Sequence, residues 1–430
     1  MNQFIFWLYD TPRQARFLQW YRKFFSLEEF ENNTTLTWVF GATLLSYYVA
    51  FSDWSKSNAL TVETLRQGGA TCWPYFQNCT DYYFLSNLPY GYSQTTLYMG
   101  LMGVLLLIGY CIQKKEWILA HMLLFIPYLW HGACVFFLTH QYGGNYDYYL
   151  FTFTTVLLFV SHKEYFVKAA LVSFYFLSTA AKIHEAWVLG TYFTPLIGGL
   201  PYFPDWSVPF LTNQLIFMEM VGAWVLLSNR PILQKAVAAY FIFFHLYSGI
   251  LVGYRYPTTV LPTLIIVFAL FYKYQNPPVD KKSIAGWLLV GLLFCAQSVP
   301  FFIPGDQKFT LEANRIGLYM FESNHQCVST GTLETMYGEK IDITNFSSAA
   351  RNRCDPYDYL QRIQYACTHT KDVKQVRWTL DHSINGGPFY REVDVENACA
   401  LTYYAWSHNE WIKFQSDAQI VGYPKENWFY

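Results

Sequence analysis

Apolar residues fall along this chain in long runs separated by short polar connections, without the strict two-residue alternation of a half-buried strand. Crossing about 30 Å of hydrocarbon takes about 20 mostly apolar residues. Nine runs approach that length: 36–52, 96–112, 117–139, 149–162, 165–187, 209–229, 233–254, 259–273 and 285–303. The pattern predicts an all-α polytopic membrane protein of about nine transmembrane helices, residues 35–303. From residue 304 the runs stop. Gln375-Val376-Arg377-Trp378-Thr379-Leu380 alternates and Asn385-Gly386-Gly387-Pro388 marks a turn, so 304–430 is expected to be a small disulfide-bonded extracytoplasmic α+β domain. At the other end, residues 3–25 mix Phe4, Trp7, Phe17 and Trp20 with Arg13, Arg16, Arg22 and Lys23, the composition of an interfacial helix, which makes 1–34 a cytoplasmic surface region. Asp10 and the lack of a basic start argue against a secretory signal.

Charge orients the spans, because Lys and Arg collect in short cytoplasmic loops. One set of alternate connections holds Arg13, Arg16, Arg22, Lys23, Lys114, Lys115, Lys163, Lys168, Arg230, Lys235, Lys273, Lys281 and Lys282, thirteen in all; the other holds three, Lys56, Arg66 and Arg255. This predicts a cytoplasmic N-terminus and an extracytoplasmic C-terminus, in a bacterial inner membrane by preference or the endoplasmic reticulum as the alternative. Six cysteines fall on the outer side: Cys72, Cys79, Cys327, Cys354, Cys367 and Cys399. An even external count predicts disulfides, with Cys72–Cys79 the local pair and three connectivities open for the other four. Without a Cys-x-x-Cys pair, no metal site is expected. Asn78 and Asn345 head external glycosylation sequons.

Composition agrees: 53% of residues are apolar, 20% aromatic and 14% charged, against about 25% charged in soluble domains. A net charge of −1 leaves no cationic surplus for a nucleic-acid backbone. Membrane lipid is the expected environment.

Ionisable groups inside spans are costly and mark candidate function. They are His121 and His131, Lys182, His184 and Glu185, Glu219, and His245. Counting helical rise puts Glu219 and His245 near the midplane, with Asp147 and Arg255 at the outer rim. An outward-opening cavity ending at Glu219 and His245 is one reading. Plainer readings pair Lys182 with Glu185 at i+3 and Glu219 with His245 across helices. His121 and His131 lie about 80° apart around a helix, so they serve different places. A metal held by His131, Glu219 and His245 is not expected, since no two share a helix.

The stretch Lys182-Ile183-His184-Glu185-Ala186-Trp187-Val188-Leu189-Gly190 resembles a motif of the vitamin K-dependent gamma-carboxylase-like superfamily, the horizontally transferred transmembrane domain. Phe217-Met218-Glu219-Met220-Val221-Gly222 is similar to its acidic-then-glycine segment, and Phe244-His245 to its Phe-His motif, with the likeness covering roughly residues 30–275. The resemblance implies reduced vitamin K or another quinol as cofactor. It also implies Lys182 as the base, with Glu219 and His245 as catalytic partners and His131, Asp147, Trp187 and Arg255 around the cofactor. A lysine removed from water deprotonates more readily, which suits that role. In the carboxylases a histidine tied to carboxylation precedes a Tyr-Leu pair; here Asn145-Tyr146-Asp147-Tyr148-Tyr149-Leu150 has Asp147 there, and the large lumenal propeptide-binding region is replaced by the short tail. The expected function is an integral-membrane, quinol-dependent enzyme of oxygenation or carboxylation type, acting on a protein or peptide at the outer face. The alternative is a non-catalytic subunit or scaffold of a membrane complex.

Overall fold

Residues 12–56, 72–75, 93–138, 144–193, 199–318, 323–343, 345–347 and 354–422 are described by the computed structural model. The chain is mostly helical. Helix α1 (Pro12–Phe24) turns Leu18 and Tyr21 inward and leaves Phe17, Trp20 and Phe24 exposed. It is followed by α2 (Thr34–Lys56), α3 (Ser93–Gln113), α4 (Trp117–Gly132), α5 (Asn145–Phe159), α6 (Lys163–Ala180), α7 (Val208–Phe217), α8 (Pro231–Val252), α9 (Arg255–Leu264) and α10 (Ile284–Ser298).

Among the described residues five helical segments, not nine, are long and apolar enough to cross a membrane: Thr96–Gln113, Trp117–Phe136, Asp205–Val225, Pro231–Val252 and Lys281–Phe302. The other four runs fall short for identifiable reasons. α5 is 15 residues long, about 22 Å at the α-helical rise. α6 carries Lys163, Glu164 and Lys168. α2 is diluted by Ser46, Ser52, Asp53, Ser55 and Lys56, and α9 with its π-helical extension ends at Leu270 after 16 residues. Of these, α5, α6 and α9 lie towards the interior, whereas α2 exposes Trp38, Leu45 and Tyr48. α6 is buried along nearly its whole length, whereas the apolar helices expose Phe210, Phe217, Phe243, Leu246, Leu288 and Leu292. A helix that faces lipid must be apolar outward; one wrapped by other helices can hold polar groups if they pair. The stripe Gln234, Ala238, Phe241, His245, Ser248 and Gly249 is the buried face of α8, repeating every three or four residues.

The C-terminal segment builds an antiparallel sheet from β1 (His325–Thr335), β2 (Lys340–Asp342), β3 (Asn345–Ser347), β4 (Val373–Ile384), β5 (Phe389–Val395) and β6 (Ile420–Val421). Its order is β2-β1-β4-β5-β6, with β3 also on β1. Helix α11 (Pro356–His369) packs on the sheet, and Tyr357, Leu360, Ile363, Val376, Trp378, Leu380 and Val393 fill the space between. Two disulfides hold α11 near both ends, Cys327–Cys354 before it and Cys367–Cys399 in its last turn. That is one of the three connectivities left open by the sequence. Cys79, and with it the Cys72–Cys79 pairing, lies outside the described residues, as does Asn78.

Candidate functional site

Lys182 does not lie within a helix. α6 ends at Ala180, and the chain breaks through Ala181–His184 before the short helix Glu185–Val188. Within the break, Lys182 is 1% exposed. Its partner is not Glu185 but Glu219: Lys182 Nζ donates to Glu219 Oε1 at 2.7 Å and to Oε2 at 2.5 Å. Thr179, one turn earlier, donates to Oε2 at 3.0 Å. Glu219 sits in the π-helical turn Met218–Gly222 that continues α7. The extra residue in such a turn re-aims a side chain and is frequent at functional sites.

His245 pairs with Tyr175 rather than with Glu219, its Nε2 lying 2.6 Å from the Tyr175 hydroxyl. Its Nδ1 has no hydrogen-bond partner among the described residues. Tyr175 stacks on Phe241, and the His245 ring meets Tyr256, whose hydroxyl is 3.2 Å from that of Tyr149. Thr179, Tyr175, Tyr149 and Tyr256 carried no charge to mark them in the sequence. The i, i+4 spacing of Tyr175 and Thr179 on the helix that leads to Lys182 is the signal that points to the first two.

The remaining candidates form a second cluster. His131 Nε2 is 2.8 Å from Asp147 Oδ1, and both residues are fully buried. Trp54 stacks on the His131 ring at 5.4 Å. Asp147 also caps α5 by accepting from the Gly144 amide at 2.7 Å. Arg255 pairs with Asp53, approaches Asp147 to 3.8 Å and lies 4.1 Å over the Tyr146 ring. His121 belongs to neither group: it bonds the Tyr21 hydroxyl at 2.7 Å and the Leu158 carbonyl at 3.0 Å, fastening α1 to the bundle. The expected single cavity is thus two polar clusters, linked at the start of α9 by the neighbours Arg255 and Tyr256.

A cavity of about 130 Å³ does exist, walled by Trp187, Phe193, Leu215, Tyr240, Phe244 and Tyr247 among others. Lys182, Glu219 and His245 are not part of its lining. They stand directly behind it, since Leu215 is one turn before Glu219, and Phe244 and Ser248 flank His245. Trp187 is fixed by its indole N–H donating to the Thr212 carbonyl at 3.2 Å. Gly190, which closes the lysine motif, has φ +75°, and a Cβ there would lie 2.9 Å from the Pro209 nitrogen, so the turn demands glycine.

No family model, curated protein or solved structure matches the chain.

A further polar cluster is buried in the C-terminal sheet, which the sequence reading did not single out. His325 Nδ1 is 2.8 Å from His382 Nε2, and His382 Nδ1 is 3.1 Å from Glu392 Oε2. Burial, then His325, holds His382 well below the usual histidine range. Burial, then Asp355 and Glu312, pushes Glu392 well above the usual carboxyl range.

Proposed function

We propose that this protein is an integral-membrane enzyme that handles a reduced quinone-type cofactor, with the Lys182–Glu219 pair as its proton-transfer group. The observation that carries this reading is a fully buried lysine–carboxylate pair, set at a helix break and a π-turn, directly behind an aromatic-walled cavity. π-helical turns are frequent at functional sites, and buried ionisable groups in membrane helices are commonly functional. The family resemblance of the lysine motif points the same way.

The cavity fits the headgroup in kind. Its volume of about 130 Å³ is close to the ~150 Å³ that accommodates a benzene ring in an apolar protein interior; two fused rings require it to widen. Trp187, Phe244 and Tyr247 would hold the ring, and His245, behind Phe244 and Ser248, keeps an Nδ1 with no hydrogen-bond partner among the described residues. When bound, a reduced quinone supplies electrons to oxygen and a proton to a nearby base. Lys182 and Glu219 can hold that proton between them, and Thr179 fixes the carboxylate in place. Tyr175 sets the ring of His245. Asp147, in place of the carboxylases' histidine, is committed to His131 and to the α5 cap, so the expected product is oxidised quinone without carboxylated peptide.

The test incubates purified protein with reduced single-ring and naphthalene-type quinols, oxygen, bicarbonate and a glutamate peptide. Turnover that falls by roughly 100-fold or more in Lys182→Ala is expected for loss of a general base; no turnover of any quinol by the wild type overturns the reading. The second reading, a non-catalytic membrane subunit, is favoured by one observation: Lys182 pairs with Glu219 and His131 with Asp147, and both pairs tie helices together. A stoichiometric co-purifying partner, whose complex works undiminished with Lys182→Ala, would establish it.

A further inference from the structure

The C-terminal sheet brings three potential metal-ligating atoms, two imidazole nitrogens and one sulfur, together from positions far apart in sequence. His325 and Cys327 are two apart on β1 and so share a face; both are buried. His382 on β4 stands directly opposite Cys327 in the antiparallel register. Cys354, at the approach to α11, reaches the same point through its bond to Cys327. The His325, His382 and Cys354 ligand atoms all lie within 4.8 Å of one another, and the three residues are buried.

The surroundings have the form of a metal site's outer layer. A ligating histidine ordinarily gives its other ring nitrogen to a carboxylate, which fixes tautomer and orientation. His382 does this with Glu392. The carboxylate is there because of a register shift: Leu380 pairs with Val393 but Asp381 with Arg391, leaving Glu392 as the extra residue of a β-bulge. Bulges re-aim side chains and recur beside functional sites. Phe309 stacks on the other side of the His382 ring at 4.9 Å, and Glu392 Oε1 has no hydrogen-bond partner among the described residues.

We propose that His325 Nδ1, His382 Nε2 and Cys354 Sγ form a binding site for a zinc-class divalent cation, which opens when the Cys327–Cys354 disulfide is reduced. Two imidazoles and one thiolate are a donor set that zinc favours, with bonds of about 2.0–2.1 Å to nitrogen and about 2.3 Å to sulfur. Those lengths place tetrahedral ligands roughly 3.3–3.6 Å apart, between the 2.8 Å His325–His382 separation and the 4.8 Å outer limit.

The switch balances. A dithiol reductant gives two electrons and two protons to the disulfide, becoming a cyclic disulfide itself, and leaves Cys327 and Cys354 as thiols. Cation binding then displaces the Cys354 thiol proton to water. While the disulfide is intact its sulfur is not a thiolate, and the site has two nitrogen ligands only.

Full-length protein in detergent is stripped with a chelator and loaded with zinc or, as a spectroscopic probe, cobalt(II). Cys327→Ser frees Cys354 without any reductant. It is expected to retain one zinc per chain and to show thiolate-to-cobalt charge transfer, as is the wild type treated with a phosphine reductant. Oxidised wild type should lack the charge-transfer band. Adding Cys354→Ser to Cys327→Ser should abolish the band, and adding His382→Gln should weaken zinc binding by at least about 100-fold. If Cys327→Ser does not fold, Cys327→Ala, which leaves no unpaired hydroxyl at this buried position, carries the same readout. Absence of the band in every folded form with a free Cys354 thiol overturns the proposal, and so does zinc retention that ignores Cys354→Ser and His382→Gln.

Discussion

At Lys182 the question is whether a buried ion pair serves stability or chemistry, and substitution separates the two. Removing one member of a buried pair strands the other charge and costs about 3–5 kcal/mol, whereas replacing both by apolar groups of similar volume is near neutral or stabilising. Lys182→Ala is therefore expected to lower the thermal midpoint sharply, and Lys182→Met/Glu219→Leu to restore it, as followed by thermal unfolding in detergent. Gly190→Ala forces a side chain into a positive φ beside the Pro209 backbone; strain of about 1–3 kcal/mol is expected, read in the same melts. Lys182, Glu219 and His245 were legible in the sequence because charge inside an apolar run is conspicuous. Their partners were not. Which residues meet across helices depends on rotation and register between helices, which one sequence does not encode visibly, so Glu185 stood in for Glu219 as the partner of Lys182, and Glu219 for Tyr175 as the partner of His245.

Among the elements, apolarity identified the helices that face outward and overstated the others. α5, α6 and α9 are inner helices whose shortness or charge is tolerated because neighbouring chain, not lipid, surrounds them. The three π-helical turns among the described residues, Ala133–Leu138, Met218–Gly222 and Ile265–Leu270, had no sequence signature, although the second of them positions Glu219. In the C-terminal segment the alternation around Trp378 marked β4 correctly, while the bulge at Glu392 was invisible because it belongs to a pairing rather than to a strand. Disulfide effects also belong at this scale. Cys367–Cys399 spans a sequence separation of 32, and opening such a loop returns entropy worth about 3.7 kcal/mol to the unfolded chain. Cys367→Ser/Cys399→Ser should accordingly destabilise the C-terminal domain, seen as greater protease sensitivity of α11.

Taken whole, the molecule docks its sheet domain on the break that carries Lys182. Asn324 Nδ2 donates to the Tyr192 carbonyl at 2.6 Å, Lys308 Nζ to that of Ile183 at 3.4 Å, and the Tyr357 hydroxyl to that of Trp73 at 3.2 Å. Two of these three bonds hold the segment from Ile183 to Tyr192, which places Trp187 in the cavity wall. Asn324→Ala removes one buried hydrogen bond worth about 1 kcal/mol, and it is expected to lower quinol turnover while the membrane helices stay folded by circular dichroism. The most direct measurement of the central claim is oxygen-dependent oxidation of a reduced quinol by the wild type and by Lys182→Met/Glu219→Leu, once melts show both to be folded. Turnover in the wild type and its loss by roughly 100-fold or more in the double variant is the expected result; equal turnover in the two proteins, or none in either, contradicts it.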